Sequence, residues 1–151
     1  MCSELVIIDT SILLELLNVP NKANNSEKTW NLFFERKKTG ALFFIPLAVI
    51  FETGNHIAQN GDSRQRRSCA LMFCNFIKKT FEGESPFMLV DFFDKDELAC
   101  WLNEVPDFSI TGKGFGDLSI CKDAMKLHEK FPNDKIYIWT LDGHLDSFSI
   151  Q

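Results

Sequence analysis

The chain holds no apolar run long enough to cross a bilayer. Its longest, from Ala41 to Phe51, falls short of the roughly 20 residues a spanning helix needs, and Pro46 sits inside it. The N-terminus lacks the basic start of a signal peptide, and Glu4 and Asp9 interrupt its apolar run. The five cysteines (Cys2, Cys69, Cys74, Cys100, Cys121) are odd in number and form no CxxC pair, which argues against a disulfide framework and a zinc site. Reduced thiols in a cytoplasmic protein are expected. The three histidines stand in no Cys–His or Ser–His motif, so a nucleophilic relay is not expected. Positive charge is in deficit: 16 basic against 21 acidic residues give −5. That excludes a cationic coat for indiscriminate duplex binding and leaves room for a local basic groove. Gly112-Lys-Gly-Phe-Gly116 is no Walker A loop, because it lacks the spacer and the Gly-Lys-Ser/Thr ending. Tyrosine is nearly absent, one against 15 Phe, which predicts a core rich in rings without polar handles.

What is present reads as one α/β domain over 1–151, a sandwich with a mostly parallel central sheet flanked by helices. The 151-residue length suits a single domain with a real core. Four apolar runs predict strands: Glu4–Asp9, Ala41–Ile45, Phe87–Asp91 and Lys135–Thr140. Helical patterns lie between them: from Thr10 to Leu17, Ser26–Lys38, from Pro46 to about Gln59, from Asp62 to about Phe81, Asp94–Asn103 and Asp117–Phe131. Pro106 is read as closing the fifth of these, and Asp107–Gly116 as an exposed loop. On the fourth, Ala70, Cys74, Ile77 and Phe81 are expected to face inward. On the sixth the inward set is Leu118, Cys121, Met125 and His128, with Asp123 on a solvated face.

Four acids fall at telling positions. Asp9 ends the first strand and Asp142 follows the last clear one. Asp117 opens a helix after a glycine loop, and Glu52 lies in the helix after the second strand. Ligand sites in open α/β sheets lie beyond the C-terminal strand ends, where these acids can converge. Each also has a plain structural reading. Asp9 and Asp117 suit helix caps, Asp142 before Gly143 suits a turn, and Glu52 can pair with His56. Glu52 follows an apolar stretch, so its surroundings are expected to be partly buried. If the acids do converge, they repel by about 4 kcal/mol per pair at 4 Å, and a hard divalent cation relieves that.

The set Val6-Ile-Ile-Asp9-Thr10-Ser11, then Glu52, then Gly116-Asp117-Leu-Ser-Ile120, then Trp139-Thr140-Leu-Asp142 resembles the PIN-domain ribonucleases. The likeness is greatest to compact toxins of the virulence-associated (VapC-like) toxin–antitoxin type. The acids follow the family order, 43, 65 and 25 residues apart.

The resemblance implies that Asp9, Glu52, Asp117 and Asp142 are catalytic and hold Mg²⁺ or Mn²⁺. It implies hydrolysis of RNA by metal-activated water, leaving a 5′-phosphate and a 3′-hydroxyl. Thr10, Ser11 and Thr140 would steady the carboxylates, and Lys113, Arg64 and Arg67 would meet RNA. A homodimer and a cognate antitoxin are also implied. The aromatic that such toxins carry near Leu145 is displaced to Phe148, and a short or missing final strand is expected. The competing reading is a PIN-like module without turnover that dimerises or binds a partner.

Overall fold

Leu5 to Ile8 are apolar on every residue, so this strand must be covered on both faces. It is β1 (Glu4–Ile8), and it lies inside a sheet ordered β3-β2-β1-β4-β5. Its neighbours are β2 (Leu42–Ile45) and β4 (Lys135–Trp139), both parallel to it, with Ile7 opposite Phe44 and Ile8 opposite Trp139. β3 (Phe87–Leu89) pairs parallel with β2, and the short β5 (Ser149–Ile150) runs antiparallel to β4. The computed structural model describes residues 2–141 and 149–150. The expected α/β architecture is observed, and the final strand is short as anticipated.

The helices are α1 (Thr10–Leu16), α2 (Ser26–Lys38), α3 (Leu47–Ala58), α4 (Ser63–Phe81), α5 (Lys95–Leu102), α6 (Val105–Ile110) and α7 (Phe115–Lys130). Sequence chemistry sets several boundaries. Asp62 and Asp94 each accept from the backbone N–H three residues on, while Gln65 and Glu97 reach back to the cap amides. Gly40 ends α2 in the left-handed region at φ +91°, which glycine adopts without strain.

The core is mainly aliphatic and holds a ring cluster, so the Phe excess is only partly spent there: Phe34, Phe51, Phe81, Phe92 and Phe115 are exposed. Phe33 from α2 packs on Phe43 of β2 and Phe87 of β3, with centroids 4.5 and 5.1 Å away. The neighbouring Phe34 points to solvent. Two inward faces and one loop differ from expectation. On α4 the buried stripe is Phe73, Ile77 and Thr80, whereas Cys74 and Phe81 are exposed. On α7 Met125 is exposed and Asp123 is buried. Residues 107–110, read as loop, belong to α6, because Pro106 lies at the start of a helix, where a missing N–H costs nothing.

Strand order brings two chain ends together. The chain steps from β1 to β2 to β3 on one side of β1, then returns to β4 on the other. A crevice therefore opens beyond the C-terminal ends of β1 and β4, the switch point of the sheet.

Candidate functional site

Asp9 stands in that crevice. Its amide donates to the Trp139 carbonyl at 3.0 Å, extending the β1–β4 ladder by one residue. It occupies the N-cap position of α1, yet its side chain makes no capping bond to that helix. The carboxylate is instead turned into the site, 5% exposed, and Oδ2 accepts from Thr140 Oγ1 at 2.7 Å. The plain capping reading of Asp9 is thus not what the side chain does.

Ser11 completes the join between α1 and the end of β4. Its Oγ accepts from the Leu141 amide at 2.9 Å and lies 3.4 Å from both Asp9 Oδ2 and Thr140 Oγ1. Thr10, next in line on α1, donates to Glu52 Oε2 at 2.8 Å. This bond spans α1 and α3 and answers what Glu52 does: it meets Thr10, not His56. Glu52 itself is exposed rather than partly buried, because the buried stripe of α3 runs through Val49, Thr53 and Ile57. All three hydroxyl residues anticipated around the acids therefore bond or closely approach them.

Asp117 lies in the first turn of α7, and its Oδ2 accepts from the Gly114 amide at 3.3 Å. It does serve its own helix, and its charge still reaches Asp9. Burial is the main force holding the Asp9 carboxyl above its usual range, and the negative charges of Glu52 and Asp117 push the same way. The Thr140 hydroxyl and the Thr10 amide oppose them. Asp9, Glu52 and Asp117 thus share one electrostatic neighbourhood. Asp142, with His144, Leu145 and Phe148, lies outside the described residues. Among the described residues, no three Asp, Glu, His or Cys side chains form a ready coordination group.

Lys113 sits just before α7, its ammonium 5.7 Å from the Phe108 ring. Burial raises the Cys121 thiol to about 11, Lys113 acts against that rise, and Asp117 adds to it. Two cations, Lys113 and Lys122, and one site carboxylate therefore bear on the same thiol. Arg64 and Arg67 are exposed in the first turns of α4. Among the described residues, no hydrogen bond or ion pair links them to the acids.

Two further acids are buried: Glu15, for which the sequence raised no expectation, and Asp123, expected on a solvated face. Glu15 is buried in α1 and accepts from the Asn24 amide at 3.0 Å and the Asn25 amide at 2.9 Å, a structural role. Asp123 is 3% exposed, and burial pushes its carboxyl up to about 7. Its spacing from Ser119, Ile120 and Leu127, all buried, is the helical signal that identifies its face.

A family model for the PIN domain matches residues 6–149. The chain belongs to the PIN domain family. PIN domains are generally nucleases that use divalent metals. A solved structure described as VapBC2 from Rickettsia felis, bound to a DNA fragment from their promoter, is similar in fold to this PIN domain. Its TM-score is 0.51 at 17% identity, over 90% of this chain and 99% of that one. No curated protein matches the sequence. No helix among the described residues is long and apolar enough to cross a membrane.

Proposed function

We propose that this PIN domain is a metal-dependent endoribonuclease acting where β1 and β4 part. Asp9 carries the reading. A buried carboxyl that leaves its own helix uncapped, faces two like charges and is gripped by Thr140 is costly in a scaffold. The same arrangement is favourable around a cation, whose charge inverts the local pKa logic. The donors are all oxygen, which fits Mg²⁺ or Mn²⁺. Mg²⁺ keeps several waters and takes only one or two carboxylates directly, so it needs no closed cage of protein oxygens.

A bound ion of this kind supplies polarisation of the phosphodiester and a more acidic water. The chain supplies the rest. Asp9, Glu52, Asp117 and Asp142 would hold the ion, with Thr10 orienting Glu52 and Ser11 and Thr140 orienting Asp9. Lys113 meets a phosphate oxygen, and Arg64 and Arg67 extend the path for RNA. A water oxygen bonds to phosphorus and gives up a proton as the bond to the 3′ oxygen breaks and that oxygen takes one up, leaving a 5′-phosphate and a 3′-hydroxyl. The reading extends to a homodimer and, on the likeness to a VapBC complex, to a toxin with a cognate antitoxin in the cytoplasm.

The test is cleavage of labelled single-stranded RNA with Mn²⁺ or with EDTA. Cleavage is expected with Mn²⁺ alone and is expected to fall by at least 100-fold in Asp9→Asn and Asp117→Asn. An intact wild type that neither cuts RNA nor binds Mn²⁺ by calorimetry would instead be a partner-binding module without turnover.

A further inference from the structure

A cavity of about 170 Å³ whose lining is almost wholly apolar is walled in part by the sequence neighbours of Glu52 and Asp117. Its walls come from α3, α5 and α7, with Trp101, buried at 7% exposure, among them. Two of its rings are strongly exposed: Phe51 at 64% and Phe115 at 38%. Both adjoin the site in sequence. Phe51 precedes Glu52, while Ala48, another wall residue, stands one helical turn before Glu52 on the same face. Phe115 and Gly116 directly precede Asp117.

We infer that this cavity is a nucleobase subsite, which holds by stacking the base of a nucleotide flanking the scissile phosphate. The inference rests on the ribonuclease reading and adds to it the element that chooses where RNA is cut. A phosphodiester drawn to Glu52 and Asp117 carries a base on each neighbouring sugar, within a few ångströms of the phosphorus. On the α3–α7 side, the residues directly before both acids, Phe51 and Gly116, line this cavity. Aromatic rings offer any base a π-face, and such stacking tolerates sequence. The cavity takes one small flat group, not a helix or an extended strand.

Two exposed rings and one glycine allow a test that spares the fold. Phe51→Ala with Phe115→Ala removes the rings, and Phe115→Trp restores one. Gly116→Leu adds bulk at a lining position where a Cβ is tolerated, since it meets no atom within 4 Å. The probe is a single-stranded RNA hexamer with 2-aminopurine placed at each position in turn, read by fluorescence and, separately, by cleavage with Mn²⁺. The expected result is quenching at one position, adjacent to the bond that is cut. Quenching should be lost in the double alanine and Gly116→Leu variants and kept in Phe115→Trp, with binding about tenfold weaker per ring removed. Cleavage without position-specific quenching overturns the subsite and leaves the nuclease reading standing. Quenching that survives both disruptive variants also overturns it. Absence of both cleavage and quenching sinks the two together. Occupation of the cavity by an amphipathic peptide but not by RNA, read from Trp101 fluorescence, assigns it to a protein partner and overturns the proposal.

Discussion

Thr140 tunes Asp9 through one hydroxyl, so the consequence of losing it can be stated with a sign. Burial and two like charges raise the Asp9 carboxyl, and the 2.7 Å bond from Thr140 opposes them. Thr140→Val keeps the shape and removes the donor, so Asp9 must become harder to ionise. Hydrogen bonds to charged groups contribute about 1.5–3 kcal/mol, which corresponds to about one to two pH units. The acid limb of the cleavage rate is expected to move to higher pH by about one unit, with the plateau little changed. Thr140→Ser should leave the limb in place, and kcat/KM against pH is the measurement. Asp123 gives a second residue-scale prediction, on stability. Its carboxyl is held at about 7 in the fold against an ordinary 3.8. Below the ordinary value both states are protonated and no penalty applies. As pH rises the unfolded chain ionises first, so folding loses stability until the folded pKa is passed. The full loss is about 4 kcal/mol, at about 1.36 kcal/mol per unit. Asp123→Asn removes this dependence. The difference in urea unfolding free energy between variant and wild type should grow in favour of Asn by about that amount from pH 4 to pH 8. A flat difference would mean that Asp123 is solvated.

Among the elements, α1 has the most tasks for its length. Its first turn presents Thr10 and Ser11 to the site, and its later turn presents Glu15 to the connection that leads into α2. Glu15 accepts from two consecutive amides, including that of Asn25, the N-cap residue of α2. Glu15→Ala leaves those amides without their acceptor and opens a space in the core. It is expected to lower the unfolding free energy by about 2–4 kcal/mol in urea, and Glu15→Gln by about half that, since one amide oxygen still accepts. A loss below 0.5 kcal/mol for the alanine variant would show that water replaces the carboxylate. Elements of this kind also explain what can be read from the chain alone. The strands were legible because β1 and β2 carry continuous β-branched and aromatic runs, which only a doubly covered sheet can hide. That the charges of Glu52 and Asp117 bear on Asp9 was legible in part, because the end of β1 and the start of α7 share one edge of a parallel sheet. Glu15 was not, since its partners are backbone amides, which carry no residue signature. The start of α6 was misread because proline marks both the end of one helix and the beginning of the next.

For the whole molecule, the site predicts a crossing in stability. Without a cation, Asp9 is a buried carboxyl beside two like charges, so the apo fold holds a penalty that Asp9→Asn relieves. The variant should therefore unfold at a higher temperature than wild type in EDTA. With Mn²⁺ the order should reverse. An ion that binds only the folded state at 100 times its Kd adds about 2.7 kcal/mol. For a chain of this size that corresponds to about 5–10 °C in Tm. The wild type should gain this in a saturable way, and Asp9→Asn should gain little. The net charge of −5 makes loose binding of Mn²⁺ at the surface a real competitor. A control on the exposed Glu82 separates the two, because Glu82→Gln removes one surface charge and should leave the saturable shift intact. The experiment needs no substrate, so it tests the carboxylate site apart from any question of which RNA is cut. A wild-type Tm indifferent to Mn²⁺ while Asp9→Asn still stabilises the apo fold would mean that the acids are gathered for some purpose other than a cation.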